Sequence, residues 1–180
     1  MWRNIVIVFI VFLVLQTGCK QQIQPTESLN VLNHRDTLLG RIKLMEKQIK
    51  STSKIDYAFG ATLVKSYLDF VSDFPQDAMA ADYLFKAGEV SMHCSQADKA
   101  IAFFGKLRDL YPQSQKCPLA LFLQAYIYDS QLKESATAKK IYLSVIREYP
   151  TTKVAEDAKA SIDQLGLSDQ DLMHKLVPNK

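Results

Sequence analysis

Residues 84–112, LFKAGEVSMHCSQADKAIAFFGKLRDLYP, and residues 121–150, LFLQAYIYDSQLKESATAKKIYLSVIREYP, read as two copies of one pattern. Each copy opens on a leucine, Leu84 or Leu121, with a small residue four places on, Gly88 or Ala125. A second small residue follows at Ala100 or Ala138, then an aromatic four places later at Phe104 or Tyr142, and a tyrosine-proline pair closes the copy. Ala100 to Pro112 and Ala138 to Pro150 are both 12 residues, whereas Gly88 to Ala100 is 12 and Ala125 to Ala138 is 13. With Phe74-Pro75 upstream, the aromatic-proline pairs recur at 37 and 38 residues, and a fixed period of that size marks stacked supersecondary units.

Each position has a packing reason. Small residues at Gly88 and Ala100, and at Ala125 and Ala138, let two antiparallel helices approach closely where they cross. The aromatic one turn further along the same face, Phe104 or Tyr142, fills the space beside that crossing. Proline has no N–H for the helical ladder and biases its predecessor away from the α region, so each helix pair ends at its tyrosine.

The succession of large, small, small, aromatic and proline positions resembles the tetratricopeptide repeat family. The resemblance covers two full units, residues 81–112 and 118–150. Upstream, Leu63, Tyr67 and Pro75 occupy the second-helix positions of a degenerate first unit, with Leu63 where the family has a small residue. Downstream, residues 153–165 make a capping helix, where Lys159 and Asp163 replace the large and small residues on a face that meets water. The alternative is an unrelated helical bundle with coincidental tyrosine-proline pairs.

Helical periodicity continues on both sides. His34 to Lys50 carries Leu38, Leu39, Ile42, Met45 and Ile49 on one stripe. Ser53 with Asp56 predicts a capped helix over 54–72, and further helices are expected over 78–94, 96–110, 117–131, 135–148 and 153–165. Ser168 with Asp171 marks a last short helix to about Leu176. Strand alternation is lacking, so the expected fold is all-α: a short α-solenoid of antiparallel helix pairs.

Composition agrees. The 180 residues are 48% hydrophobic and 23% charged, sufficient for a buried core. A net charge of +3 lacks the concentrated positive field of a nucleic-acid binder.

Residues 1–18 have the form of an export signal: Arg3, then eleven unbroken apolar residues from Ile5 to Leu15, then Gln16, Thr17 and Gly18. Eleven residues span roughly 16 Å as a helix, about half the hydrocarbon thickness. With Cys19 next, the segment resembles the lipobox of bacterial lipoproteins, in which the cysteine is lipidated and becomes the new N-terminus. Gln16 stands where that family prefers leucine; an ordinary secretory signal or an uncleaved anchor is the alternative. Residues 19–28 then read as lipidated cysteine plus polar tether, ahead of a helical domain over 29–176.

Catalytic chemistry has no foothold in the sequence. His34, His93 and His174 are scattered, without a zinc-protease, nucleophile-elbow or phosphate-loop motif. His93-Cys94 point about 100° apart on a helix, a poor chelate, and Asp169 with Asp171 lack a calcium loop's glycine and glutamate. No metal, cofactor or small-molecule substrate is expected. Cys94 ends one first helix and Cys117 begins the next, which places the thiols about a helix length apart, beyond bonding reach.

In the repeat family the first helix of each pair lines a concave groove. By matching position the resemblance assigns groove roles to Asp82, Phe85, Glu89 and Met92 in one unit and Leu119, Phe122, Tyr126 and Asp129 in the next. Aromatics, a methionine and acids suit a peptide with apolar anchors and basic groups. Phe85, Phe122 and Tyr126 fit packing between adjacent units equally well.

Lipid anchor, tether and repeats together resemble the tetratricopeptide lipoproteins of Gram-negative envelopes. These include the repeat component of the outer-membrane β-barrel assembly machinery and the periplasmic protein that coordinates Tol-Pal with septal wall synthesis. The implied function is a non-enzymatic adaptor that faces the periplasm from the outer membrane, bound there through its N-terminal lipid. A holdase-like module that binds exported client chains is the alternative.

Overall fold

The computed structural model describes residues 25–51 and 56–165. The export-signal, lipobox and Ser168–Leu176 readings fall outside these residues. Contacts divide the chain after His34 into two units. The described part of the first is the opening of helix α1 (Pro25–Ser51), which exposes Leu29, Val31 and Leu32.

The second unit, from Arg35, continues α1 and adds α2 (Tyr57–Asp73), α3 (Ala80–His93), α4 (Ala97–Leu110), α5 (Cys117–Ser130), α6 (Ser135–Glu148) and α7 (Lys153–Gln164). No strand occurs among the described residues. From α2 onward each helix packs on its successor through a short turn, the arrangement of an all-α repeat solenoid. None of the described helices is long and apolar enough to cross a membrane.

Two boundaries differ from the sequence expectation by three residues or more. α1 begins at Pro25, so Pro25 to Ser28, read as the end of the tether, are helical; proline is compatible with a first turn because its missing N–H would have no intrahelical partner. α2 begins at Tyr57 rather than residue 54, because Asp56 itself caps it: Oδ1 accepts from Phe59 N at 2.9 Å.

The aromatic-proline corners are copies in three dimensions. Phe74, Tyr111 and Tyr149 end α2, α4 and α6 with φ,ψ of −130°,57°, −129°,58° and −131°,50°. The three carbonyls then accept from Asp77 N, Ser114 N and Thr152 N at 3.0, 2.9 and 3.1 Å, and those residues' own carbonyls accept from Ala80, Cys117 and Ala155 N. Pro75, Pro112 and Pro150 exclude the α conformation at the residue before them, and one turn geometry answers that restriction three times. Tyr111 also donates its hydroxyl to the Pro75 carbonyl at 3.0 Å, linking one corner to the next.

The turns inside the pairs differ by the one residue that distinguishes the spacings of 12 and 13. Gln96 N reaches back to Ser91 O at 2.9 Å, whereas Glu134 N reaches back one residue further, to Tyr128 O at 2.7 Å. Each turn needs a residue in the left-handed region, Ser95 at φ 56° and Lys133 at φ 59°.

Candidate protein-binding surface

α3 is set by its contact with α4. An added Cβ on Gly88 would fall 2.5 Å from Phe104 Cε1, so glycine is required for the Phe104 ring to lie against the α3 backbone. That ring also meets Phe85, at 5.5 Å between centroids. Phe85 is therefore only 3% exposed, a core residue beneath the Lys116 ammonium, which stands 5.2 Å from its centroid. This corrects its assignment to the groove: Phe85 packs on the Phe104 ring that fills the space beside Gly88.

The other expected groove residues separate into distinct settings. Asp82 is exposed on a cleft of about 590 Å³ between the turns around Pro75 and Pro112. Met92 is half-buried against the core, and its carbonyl accepts from Gln131 Nε2 at 3.1 Å. Leu119 is half-buried on the same core. Phe122 packs on Tyr142 at 5.2 Å, within the second hydrophobic cluster. Asp129 accepts from Ser135 Oγ at 3.1 Å and ties α5 to α6. Tyr126 is 45% exposed.

Glu89 has the most distinctive setting. It lines a groove of about 420 Å³ with Glu46 and Ile49 of α1, Tyr67 of α2, and Lys86, Val90 and His93 of α3. Glu46 Oε1 accepts from Lys86 Nζ at 2.7 Å and from the Tyr67 hydroxyl at 2.9 Å. Tyr67 stacks on Tyr83 with centroids 5.3 Å apart, and Lys86 Nζ lies 5.3 Å from the Tyr83 centroid. Burial, reinforced by Glu46, pushes the Tyr67 hydroxyl well above the ordinary phenol range, so it acts as a fixed donor. Burial also raises Glu89, against the opposing pull of Lys116, His93 and Lys86.

The sequence reading missed Glu46, Tyr67 and Lys86. Lys86 and His93 stand three before and four after Glu89 on one helical face, which was a usable signal. Nothing local joined Glu46 to a lysine 40 residues away.

Cys94 is half-buried and Cys117 buried, both free, and desolvation raises both thiols, opposing a reactive thiolate. Among the described residues no three His, Cys, Asp or Glu side chains gather as metal ligands.

Residues 82–114 and 119–152 match the tetratricopeptide repeat model. The chain thus carries two tandem tetratricopeptide repeats, units whose characteristic use is protein–protein interaction. No curated protein matches the sequence at a significant level.

Proposed function

We propose that this chain is a membrane-held adaptor of the bacterial cell envelope, which docks segments of other envelope proteins on its repeats and carries out no reaction of its own. The observation that carries the docking role is the groove bordered by α1, α2 and α3, whose wall combines apolar Ile49 and Val90 with convergent charged groups. The export-signal pattern and Cys19 in residues 1–19 support the envelope address. A lipid there, with residues 20–24 as spacer, holds the docking surface close to the membrane and raises the effective concentration of partners.

Photocrosslinkers at position 93, exposed on the wall of that groove, and at position 126, the most exposed of the aromatic positions considered, test the reading in living cells. Discrete adducts with a few envelope proteins are expected. A smear of many exported chains favours the holdase alternative, and no adducts at all count against docking at this face. Cys19→Ser, followed by membrane fractionation, tests the anchor: release into the soluble fraction is expected, and unchanged membrane association overturns it.

A further inference from the structure

The groove at Glu89 contains more cation demand than its own cations meet. Lys86 is engaged: its ammonium is 2.7 Å from Glu46 Oε1 and lies over the Tyr83 ring. Lys116, the other lysine that acts on Glu89, lies over the Phe85 ring, and His93 on the groove wall acts on Glu89 through space without a salt bridge or hydrogen bond to it. The Glu89 carboxylate makes no ion pair or hydrogen bond with any described residue, although the residue is half-buried beside an open groove. A carboxylate in that state has lost part of its hydration without receiving a contact partner, and an arriving cation restores the deficit.

The surroundings narrow the class of cation. Glu46, Glu89 and His93 share the groove but do not gather as metal ligands, and an anion would find both lysines already occupied. Ile49 and Val90 add apolar wall beside the carboxylate, which suits a side chain with an aliphatic stem and a charged end. Guanidinium is more weakly hydrated than ammonium and presents a planar fork to a carboxylate, so it enters a half-buried site at lower cost.

We propose that this groove receives an arginine side chain of a protein partner, with the guanidinium on Glu89 and the methylene stem along Ile49 and Val90. This inference rests on the adaptor reading and specifies one anchor of the segment that the adaptor docks.

The test uses the full chain in neutral detergent and two fluorescent peptides, Leu-Arg-Leu and its citrulline counterpart, which keeps the shape and removes the charge. Anisotropy titration is expected to show about a tenfold preference for the arginine peptide. Glu89→Gln should abolish the preference while circular dichroism stays unchanged. Lys86→Met, which removes a competing cation, should tighten arginine binding, an effect that a merely structural role does not produce and that stands even if the Glu89 variant fails to fold. Equal binding of both peptides, binding of neither, or unchanged or weaker arginine binding in Lys86→Met overturns the proposal. Discrete adducts from position 126 alongside such a result leave the adaptor reading standing and remove only the arginine anchor.

Discussion

The two repeats use different solutions at the same crossing. In the first, Gly88 has no side chain and Phe104 lies against the α3 backbone, with Phe85 drawn in beside it and 3% exposed. In the second, Ala125 is fully buried, Tyr142 takes the place of Phe104, and Phe122 stays half-buried. The first crossing shares its hydrophobic cluster with the aromatic stack of Tyr67, Tyr83 and Phe70, whereas the second shares its cluster with the small residue Ala158 near the end of the described chain. One sequence pattern thus tolerates two depths of packing. Both aromatics are fully buried, and the difference lies in the phenylalanine on the first helix, buried at Phe85 and half-buried at Phe122.

The largest effect expected is from truncating the aromatic in each repeat. Phe104→Ala should cost about 3–5 kcal/mol in urea denaturation, and Tyr142→Ala should cost less, because its ring neighbour Phe122 is only half-buried and has more freedom to relax into the void than the buried Phe85. Equal losses would show that the two crossings are packed alike. Next is the exchange of the small residues. Gly88→Ala places a methyl within 3 Å of the Phe104 ring and should destabilise by about 1–3 kcal/mol, despite alanine's better helix propensity. Ala125→Gly should cost about 1 kcal/mol, from propensity and lost contact together. A stabilised Gly88→Ala protein would mean that the ring moves freely.

The smallest effect concerns the corners. At the first, the Arg35 guanidinium donates to Asp77 at 2.6 Å and holds that carboxyl below the usual aspartate range. Ser114 and Thr152 hold the matching positions without charge. Because the folded pKa of Asp77 is depressed, its contribution is present above the ordinary aspartate pKa and disappears as pH falls through the folded value. Asp77→Ser, which makes this corner like its neighbour, should lower Tm slightly at neutral pH and flatten the acid limb of Tm against pH below about pH 4. An unchanged acid limb would mean that Asp77 contributes nothing to that dependence.

Much of the architecture was legible because it rests on local causes. Proline after an aromatic ends a helix wherever it occurs, and the three corners share φ within a few degrees. The one-residue difference between the repeats was visible as 12 against 13 and reappears as a turn bond that reaches one residue further. The docking surface was less legible. Position in the repeat marked Phe85 and Glu89 alike, but one is core and the other faces a groove, because Phe85 packs on the Phe104 ring that lies against Gly88.

By itself the sequence determined that the chain is helical, where each pair stops, and that the pairs recur, because periodicity, small residues and proline act within a few positions of themselves. Only the tertiary structure decided which charges meet: Glu46 with Lys86 at 2.7 Å across 40 residues, Arg35 with Asp77 across 42, and Glu89 without a contact partner among the described residues. Ion pairing and desolvation depend on distances between helices, and those distances are fixed only once the side chains between the helices have packed.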